Sequence, residues 1–524
     1  MDPYPAILLD ETATGLLEEL ERGSREGRDR LLEARKQLAR AVRDGAELIA
    51  PADPGIRDDD SWRVAAPPAD LTYRLVELAT PATPEHAKSA LVTGADVWVA
   101  DLEDMLVPTP RILIAAHRTI EEVATTRTGD AAPGVPTLMV RPRGLHLQEA
   151  HVVVDGRPAS AALVDSFIFL ARCGRMLVDQ GTGPYLYLPK LESAAEARWW
   201  DDLLGRCEEV LDLPAGSIRV SVLVETVQSV YELEEIVHAL RERITGLAAG
   251  RWDYVFSHLR TYGHREDQVI PDRDAFTMNT KFLRSYTDVI VRTCQRRGVQ
   301  AIGGPIALAP SGPFDDSVAM THARVYRDKA REARQGFHGA WVLHPALVPV
   351  ARAPFEERDL HAERGARAQR EAGLPTHEID PVALRDISSI AGSATLTGVR
   401  TALRSSLAYL TGWFAGVGTA VIAGHIEDFG TVELARMQLW QWLAHEERLA
   451  EGPAMTTRLL DRMLEDEVAL LRRRGAREDL LQHAITLLRS SVVADEPPAF
   501  LSQLAYEVLL ALEEGEEPVA PDAA

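Results

Sequence analysis

The feature that most constrains this chain is a regular alternation of short β-branched runs and helical stretches between about residues 80 and 350. The runs with the length and composition of buried strands are 97–104, 137–144, 185–190, 219–226, 253–257, 299–304 and 339–345. Nearly continuous apolar strands separated by helices are typical of a parallel sheet covered on both faces. Seven or eight such units in ~270 residues predict an α/β fold, a (β/α)8 TIM barrel. No G-x-G-x-x-G motif follows the first run, which argues against a dinucleotide-binding sheet.

The segments on either side of this region have a helical pattern. Residues 13–50 place apolar residues at helical spacing between charges, and the chain is helical again from about 385 to 515. The polar, charged stretch 351–385 is predicted to be a linker. The uncharged stretch 405–424 is long enough to cross a bilayer, but it contains four glycines and several hydroxyl residues, so we expect a buried helix and turn.

Charge and cysteine content restrict the possible partners. The chain has 57 basic and 79 acidic residues, a formal net charge of −22, which disfavours nucleic acid and anionic membranes as partners. Its three cysteines fit neither a disulfide framework nor a cysteine-rich zinc site. The first residues carry acids where a signal peptide would carry bases. We therefore expect a cytoplasmic protein, and the strong preference for arginine over lysine is typical of a GC-rich bacterial genome.

Polar residues follow the predicted strands at their carboxyl ends, where barrel enzymes carry their active sites. They are Asp101, Glu103 and Asp104 after the first run, Arg141 and Arg143 after the second, Lys190 and Glu192 after the third, Glu225 after the fourth, and Asp253 at the start of the fifth. Two converging carboxylates with water in the other positions suit Mg²⁺, a hard ion that prefers oxygen ligands. Such an ion would polarise the carbonyl oxygen of a small substrate.

Each of these groups also has a purely structural interpretation. A strand-end acid and an arginine can form an ion pair at the barrel rim without any ligand. Lys190 needs no substrate if it simply pairs with Glu192. His344 is interpreted as a core or turn histidine, and the cysteines as inert, because no basic activator is identifiable beside them.

A series of longer runs carries a resemblance to a known family. These runs are RPRGLHLQEAH, YLYLPKLESAAEARWWDDLL, RVSVLVETVQSVYELEEIVHALR, GRWDYVFS, VIPDRDAFTM, CQRRGVQAIGG, DKAREARQGFHGAWVLHP and HIEDFGTVELARMQLWQW. In order and spacing the chain resembles the A-type, short form of malate synthase over nearly its whole length. The resemblance implies an N-terminal helical clasp (1–80), a TIM-barrel catalytic domain (81–350), the linker (351–385) and a C-terminal helical domain (386–524) that closes over the barrel mouth and carries the catalytic base.

The resemblance also implies an activity. The family condenses acetyl-CoA with glyoxylate in a Mg²⁺-dependent, Claisen-type reaction of the glyoxylate cycle, then hydrolyses the malyl thioester to malate and CoA. A thioester methyl proton is weakly acidic, so a carboxylate must be positioned to remove it, and the developing enolate oxygen needs a fixed positive charge. Placing the base on another domain lets closure assemble the site and exclude water.

Matched to the family's motifs, each role falls on one position of this sequence. Arg141 would be the catalytic arginine and Asp428, in HIED, the catalytic base, while Glu225 and Asp253 would hold the magnesium ion. The remaining assignments are the backbone amides around Gly250, Arg251 and Trp252 for the carboxylate of glyoxylate, and Asp101 and Glu103 as support for the metal's waters and for Arg141.

The chain departs from the family's pattern at the walls of the site. Ala248 stands where an asparagine is expected, Pro110 replaces a tryptophan, His338 replaces an aspartate, and GGPIALAP (303–310) replaces a GGMAAFIP-like segment expected near the thioester channel. These changes leave open another acyl thioester (CoA- or carrier-protein-bound), another 2-oxo acid in a specialised biosynthetic pathway, or a malyl-thioester lyase or hydrolase. A non-catalytic binding paralogue would have lost key charged residues, and all are present. The sequence does not determine the oligomeric state.

Overall fold

The computed structural model describes residues 4–51, 53–126, 134–310, 316–360 and 379–515. Its strands are β1 (Val76–Pro81), β2 (Val97–Asp101), β3 (Thr137–Arg141), β4 (Gln148–Val154), β5 (Arg157–Ser160), β6 (Tyr185–Leu188), β7 (Arg219–Val224), β8 (Ile244–Ala249), β9 (Gln300–Gly303), β10 (Gly339–Val342), β11 (Ala420–Ile422) and β12 (His425–Glu427). Eight of them are parallel and close into a barrel in the order β1-β10-β9-β8-β7-β6-β3-β2. The predicted (β/α)8 TIM barrel is confirmed.

Helices cover the barrel and form the parts of the chain on either side of it. They are α1 (Glu11–Arg43), α2 (Pro54–Arg57), α3 (Pro84–Ala90), α4 (Pro110–Thr126), α5 (Ala161–Asp179), α6 (Ala194–Val210), α7 (Val227–Tyr231), α8 (Leu233–Ala239), α9 (Arg251–Tyr262), α10 (Lys281–Arg297), α11 (Asp316–Gln335), α12 (Val348–Leu360), α13 (Leu396–Phe414), α14 (Phe429–Ala444), α15 (Thr457–Arg473), α16 (Glu478–Val493) and α17 (Leu501–Glu514). Among the described residues, no helix has the length and hydropathy needed to span a membrane.

The fifth predicted strand is wrong. Residues 253–257 lie in α9, and the sixth strand of the barrel is instead β8, formed by residues 244–249. This strand is rich in small residues because the buried side chain of Arg74 fills the barrel interior beside it. Arg74 Nη2 donates a hydrogen bond to Thr245 O at 2.7 Å, and a Cβ on Gly246 would lie 3.0 Å from Ser221 Oγ. Small residues give a weak strand signal in a sequence, although beside Arg74 and Ser221 only a small residue fits at position 246.

The first strand of the barrel, β1, is absent from the predicted runs. It contains Glu77, whose charge interrupts the apolar pattern, although all six of its residues are buried. Trp341 Nε1 donates a hydrogen bond to Glu77 Oε2 at 2.6 Å inside the barrel. A buried carboxylate is tolerated when it is hydrogen-bonded, and the sequence alone does not reveal the partner.

The segments outside the barrel are helical, as expected. The pattern in residues 13–50 corresponds to one long helix, α1, which begins after Asp10, whose side chain accepts a hydrogen bond from Ala13 N at 2.8 Å. The predicted linker 351–385 begins inside α12, because Ala351 and Phe355 are apolar residues packed in the core; residues 361–378 lie outside the described residues. Helices α13 to α17 bury a second apolar core of their own. The domain ranges 1–80, 81–350 and 386–524 stay predictions.

The β4–β5 hairpin is joined to the C-terminal helix α17 by a histidine with two carboxylate partners. His151 Nδ1 lies 2.8 Å from Glu149 Oε1, and its Nε2 lies 3.0 Å from Glu513 Oε2. Burial lowers the pKa of His151, but the two carboxylates outweigh this effect and raise it from 6.5 to about 9. The side chain is 25% exposed, so solvent screens the pair only in part.

We expect the stability contributed by this pairing to depend on pH. The folded pKa lies above the unfolded value, so the contribution is fully present below pH ~6.5 and is lost as the pH rises through about 9. The free energy of unfolding should fall by about 3 kcal/mol at most over that range, measured by denaturant titration. His151→Gln should flatten this part of the profile, whereas His483→Gln in α16 should keep it. An identical profile for wild type and His151→Gln would contradict the assignment.

Candidate active site

The ends of β2 and β3 hold an arginine among three acids. Asp101 and Arg141 are the last residues of these strands and are paired across them. Arg141 Nε donates a hydrogen bond to Asp101 Oδ1 at 2.8 Å, and Nη2 donates to the other carboxylate oxygen. Arg141 Nη1 lies 3.2 Å from Glu103 Oε2 and 3.3 Å from Asp104 Oδ2. Burial lowers the pKa of Arg141, but the acids raise it well above its ordinary value, so the oriented guanidinium stays charged.

Lys190, which follows β6, lies at the centre of the site. Its Nζ is 2.8 Å from Glu103 Oε1, 2.8 Å from Asp104 Oδ2 and 3.4 Å from Asp253 Oδ1. Its backbone amide donates a hydrogen bond to Glu225 Oε1 at 2.7 Å, and its φ of 51° is rare for a residue with a side chain. The alternative of a simple pair with Glu192 is wrong, since Glu192 bonds to arginines instead.

The two candidate metal ligands, Glu225 and Asp253, lie beyond the carboxyl ends of two neighbouring strands, β7 and β8. Glu225 directly follows β7, and Asp253 lies in the first turn of α9, which begins directly after β8 and Gly250. A Cβ on Gly250 would lie 2.6 Å from Glu225 Cβ and 2.9 Å from Glu225 Oε2. Only glycine therefore lets the start of α9 approach this carboxylate so closely.

Asp428 reaches the same site from the C-terminal helices. It is the N-cap of α14, and its Oδ1 accepts a hydrogen bond from Thr431 N at 3.0 Å. Two residues further on, a Cβ on Gly430 would lie 3.1 Å from both carboxylate oxygens of Asp253. The structure thus brings the predicted base next to a predicted metal ligand, although the two are 428 − 253 = 175 residues apart in the chain. The sequence argument did not identify Gly430, whose only signal is its position after the cap.

The site contains more acids than bases. Its buried or nearly buried charges are two cations, Arg141 and Lys190, and six carboxylates, Asp101, Glu103, Asp104, Glu225, Asp253 and Asp428. Burial, together with the neighbouring Asp253, raises the pKa of Glu225 to about 8. Burial, with Asp104 and Asp253, also raises the pKa of Asp428 to about 8. Such crowding of like charges is typical of a functional site and is relieved by a bound cation.

The residues fit a magnesium ion. Asp253 Oδ1 and Glu103 Oε2 are buried and make no hydrogen bond to any described residue, although each lies within ion-pair distance of a cation. Within the described part of the chain, no three His, Cys, Asp or Glu side chains form a metal-binding group. Mg²⁺ is commonly held by one or two carboxylates while keeping waters or substrate oxygens. Glu225 and Asp253 would be those two ligands, and this assignment stays a prediction.

The start of α9 borders a basic cavity of about 390 Å³. Its wall includes Trp252, residues 306–308 and five arginines: Arg251, Arg324, Arg327, Arg331 and Arg334. Arg251 stacks over the ring of Trp252 at 4.0 Å. The amide of Gly250 is already used, since it donates to Tyr286 Oη at 2.8 Å. The amides of Arg251 and Trp252 bond to no described residue, so these two remain suited to an anion at the helix N-terminus.

We expect Gly250→Ala to damage the site by steric conflict alone, because φ at Gly250 is −105° and does not itself require glycine. The added Cβ must displace Glu225 or the start of α9, so stability should fall by about 1–3 kcal/mol and activity by at least ~10-fold. Thermal unfolding and turnover measure the two effects. Gly15→Ala in α1, where a Cβ meets nothing within 4 Å, is the matched control. Equal behaviour of the two variants would contradict the close approach.

Comparison with known proteins agrees with this architecture. The family model described as "Malate synthase, TIM barrel domain" matches residues 137–379, and "Malate synthase, C-terminal" matches residues 393–509. The malate synthase of Streptomyces clavuligerus is 39% identical, over 97% of this chain and 96% of that protein. The malate synthase of Myxococcus xanthus is 34% identical, over 97% and 95%, and malate synthase A of Escherichia coli is 33% identical, over 92% of each. With the barrel and the site at its mouth, these matches show that the chain belongs to the malate synthase family.

Proposed function

We propose that this protein is a Mg²⁺-dependent malate synthase that condenses acetyl-CoA with glyoxylate and hydrolyses the product thioester to malate and CoA. Family membership supports the reaction class. The observation that carries the proposal is the close approach of the start of α14, which Asp428 caps, to Asp253 in a site that holds six carboxylates and two cations. We further propose, from the sequence argument, that the reaction takes place in the cytoplasm.

Asp428 is the proposed base for the methyl proton of the acetyl thioester. Burial and two neighbouring acids raise the pKa of its carboxyl group to about 8, which makes the carboxylate a stronger base than one in water. Its position at the N-cap of α14 fixes the side chain through Thr431. Because α14 belongs to the C-terminal helices, the base would act on the substrate from the side opposite the barrel.

Arg141 is the proposed partner of the enolate oxygen. Three acids hold its guanidinium in place, so the positive charge needs no reorganisation when negative charge develops on the thioester oxygen. Lys190 would keep Glu103 and Asp104 oriented toward this arginine. Arg141 thus acts from the barrel and Asp428 from the C-terminal helices.

Glu225 and Asp253 would hold the magnesium ion, which when bound would polarise the aldehyde of glyoxylate. The amides of Arg251 and Trp252 would bind the carboxylate of glyoxylate at the N-terminus of α9. The thioester would enter beside residues 306–308, where five arginines and only two acids, Asp274 and Asp328, line the cavity. That excess of positive charge suits the phosphates of CoA.

The test is release of free thiol from acetyl-CoA in the presence of glyoxylate and Mg²⁺, with mass spectrometry of the product. We expect malate and free CoA, and loss of both when EDTA removes the metal. A malyl thioester without free CoA would show that only the condensation half is present. No product from a folded protein would contradict the proposed substrates, and the next assays would use other acyl thioesters and 2-oxo acids.

A further inference from the structure

A second cavity, of about 580 Å³, lies between α1, α9, α14 and the segment 495–500. It shares none of its lining residues with the cavity beside residues 306–308. Its volume is in the range of sites that enclose small organic ligands. We refer to it as the inter-helix cavity.

The inter-helix cavity has a large apolar wall. Leu32 and Val42 contribute from α1, Leu259 from α9, Met437 and Trp440 from α14, and Phe500 from the segment before α17. Phe500 is itself held between two lining residues, with the ring of His146 at 3.9 Å and the guanidinium of Arg260 at 4.7 Å. A wall of this kind favours a ligand with an apolar body.

One buried cation in the lining forms no ion pair with any described residue. Arg28 is only 2% exposed, and it donates hydrogen bonds to Leu145 O at 2.8 Å through Nε and to Leu147 O at 3.0 Å through Nη2. In the described parts of the chain, its Nη1 has no hydrogen-bond partner and no carboxylate lies within ion-pair distance of it. Burial lowers the pKa of Arg28, and the nearby acids Glu21 and Asp29 only partly oppose this effect. Buried charges are usually paired, so this one indicates a missing anion.

Most of the other charges of the cavity are paired. Arg35 pairs with Glu196 at 2.6 Å and with Glu192 at 3.3 Å; Arg260 also pairs with Glu192, and Arg43 pairs with Glu496. Among the remaining lining groups, Lys36 and Asp495 offset each other. The lining carries five cations (Arg28, Arg35, Lys36, Arg43 and Arg260) and three acids (Glu192, Asp495 and Glu496), so it is positive overall, and Arg28 is the buried cation that has no ion pair with a described residue. A single buried guanidinium with one nitrogen that bonds to no described residue suits one carboxylate group.

We propose that the inter-helix cavity binds an amphipathic monocarboxylate, with the carboxylate at Arg28 and the apolar body against Trp440 and Phe500. The proposal does not depend on the reaction proposed above. Helices α9 and α14 line the cavity with residues of their second halves. Asp253 and Asp428 lie at the N-terminal ends of the same two helices.

Isothermal titration of the full chain with octanoate tests the proposal. We expect octanoate to bind at one saturable site per chain. 1-Octanol, which lacks the negative charge, should bind at least ~10-fold more weakly, and acetate, which lacks the apolar body, should show no saturable binding. Octanoate should still bind when acetyl-CoA is saturating. Equal affinity for octanoate and 1-octanol, no saturable binding of octanoate, or displacement of octanoate by acetyl-CoA would overturn the proposal.

Variants locate the site. Arg28→Met should weaken octanoate binding by at least ~10-fold, because it removes a buried charge-assisted bond. Lys36→Met on the exposed part of α1 carries little risk to folding and should weaken binding ~2–5-fold, since it removes a nearby positive charge. Lys88→Met, an exposed lysine on α3, should leave binding unchanged. Equal losses for the Lys36 and Lys88 variants, or wild-type affinity in a folded Arg28→Met, would refute this location.

Discussion

Asp428→Asn is expected to lower turnover by about 10³-fold, the size of effect typical of a general base. The substitution removes the proton acceptor but keeps the shape of the side chain. An asparagine oxygen can still accept the hydrogen bond that Thr431 N now donates to Asp428 Oδ1 at 3.0 Å, so α14 should keep its cap. Loss of activity would then reflect chemistry rather than unfolding. Two measurements are needed: turnover, and exchange of the acetyl methyl protons of acetyl-CoA with deuterium from solvent.

The control for this prediction is a second aspartate that caps a helix. Asp10 accepts a hydrogen bond from Ala13 N at 2.8 Å at the start of α1, so Asp10→Asn makes the same chemical change at the same type of position, away from the site. It should keep wild-type turnover and exchange. If Asp428→Asn exchanged the methyl protons at the wild-type rate, the base would have to be another group.

Loss of either predicted metal ligand should be the other large effect. Glu225→Gln and Asp253→Asn are each expected to weaken Mg²⁺ binding by at least ~100-fold and to leave no measurable turnover at millimolar Mg²⁺. In Glu225→Gln the side-chain oxygen can still accept the hydrogen bond that the Lys190 amide now donates to Glu225 Oε1 at 2.7 Å. The fold should therefore survive, and Mg²⁺ titration by calorimetry separates metal loss from unfolding.

Stability in the absence of metal gives an independent check on these two variants. Each removes one of six crowded carboxylates, so without Mg²⁺ each variant should unfold at a temperature no lower than the wild type. With Mg²⁺ the wild type should gain stability, whereas the two ligand variants should not. Glu478→Gln, an exposed residue of α16, is the matched control and should respond to Mg²⁺ like the wild type. Unchanged Mg²⁺ dependence in both ligand variants would refute the assignment.

The predicted barrel followed from local patterns, and its two errors share one cause. Strand β8 is built of small residues because Arg74 occupies the space beside it, and β1 contains a glutamate that accepts a hydrogen bond from Trp341 of β10. Both depend on a partner distant in the chain. Periodicity records which face of an element is apolar, but not which polar group will meet it inside the barrel.

The sequence by itself determined the fold class, the family and the chemical groups available for catalysis, because strand and helix periods and motif spacing are local properties. Only the tertiary structure decided which of these groups meet. Lys190 joins Glu103, Asp104 and Asp253 rather than Glu192, and Gly430 lets the start of α14, which Asp428 caps, lie against Asp253. Arg28 becomes a buried charge without an ion pair among the described residues where α1 closes a cavity with α9 and α14. Pairing and desolvation of charges arise from packing between distant segments, and no local pattern encodes them.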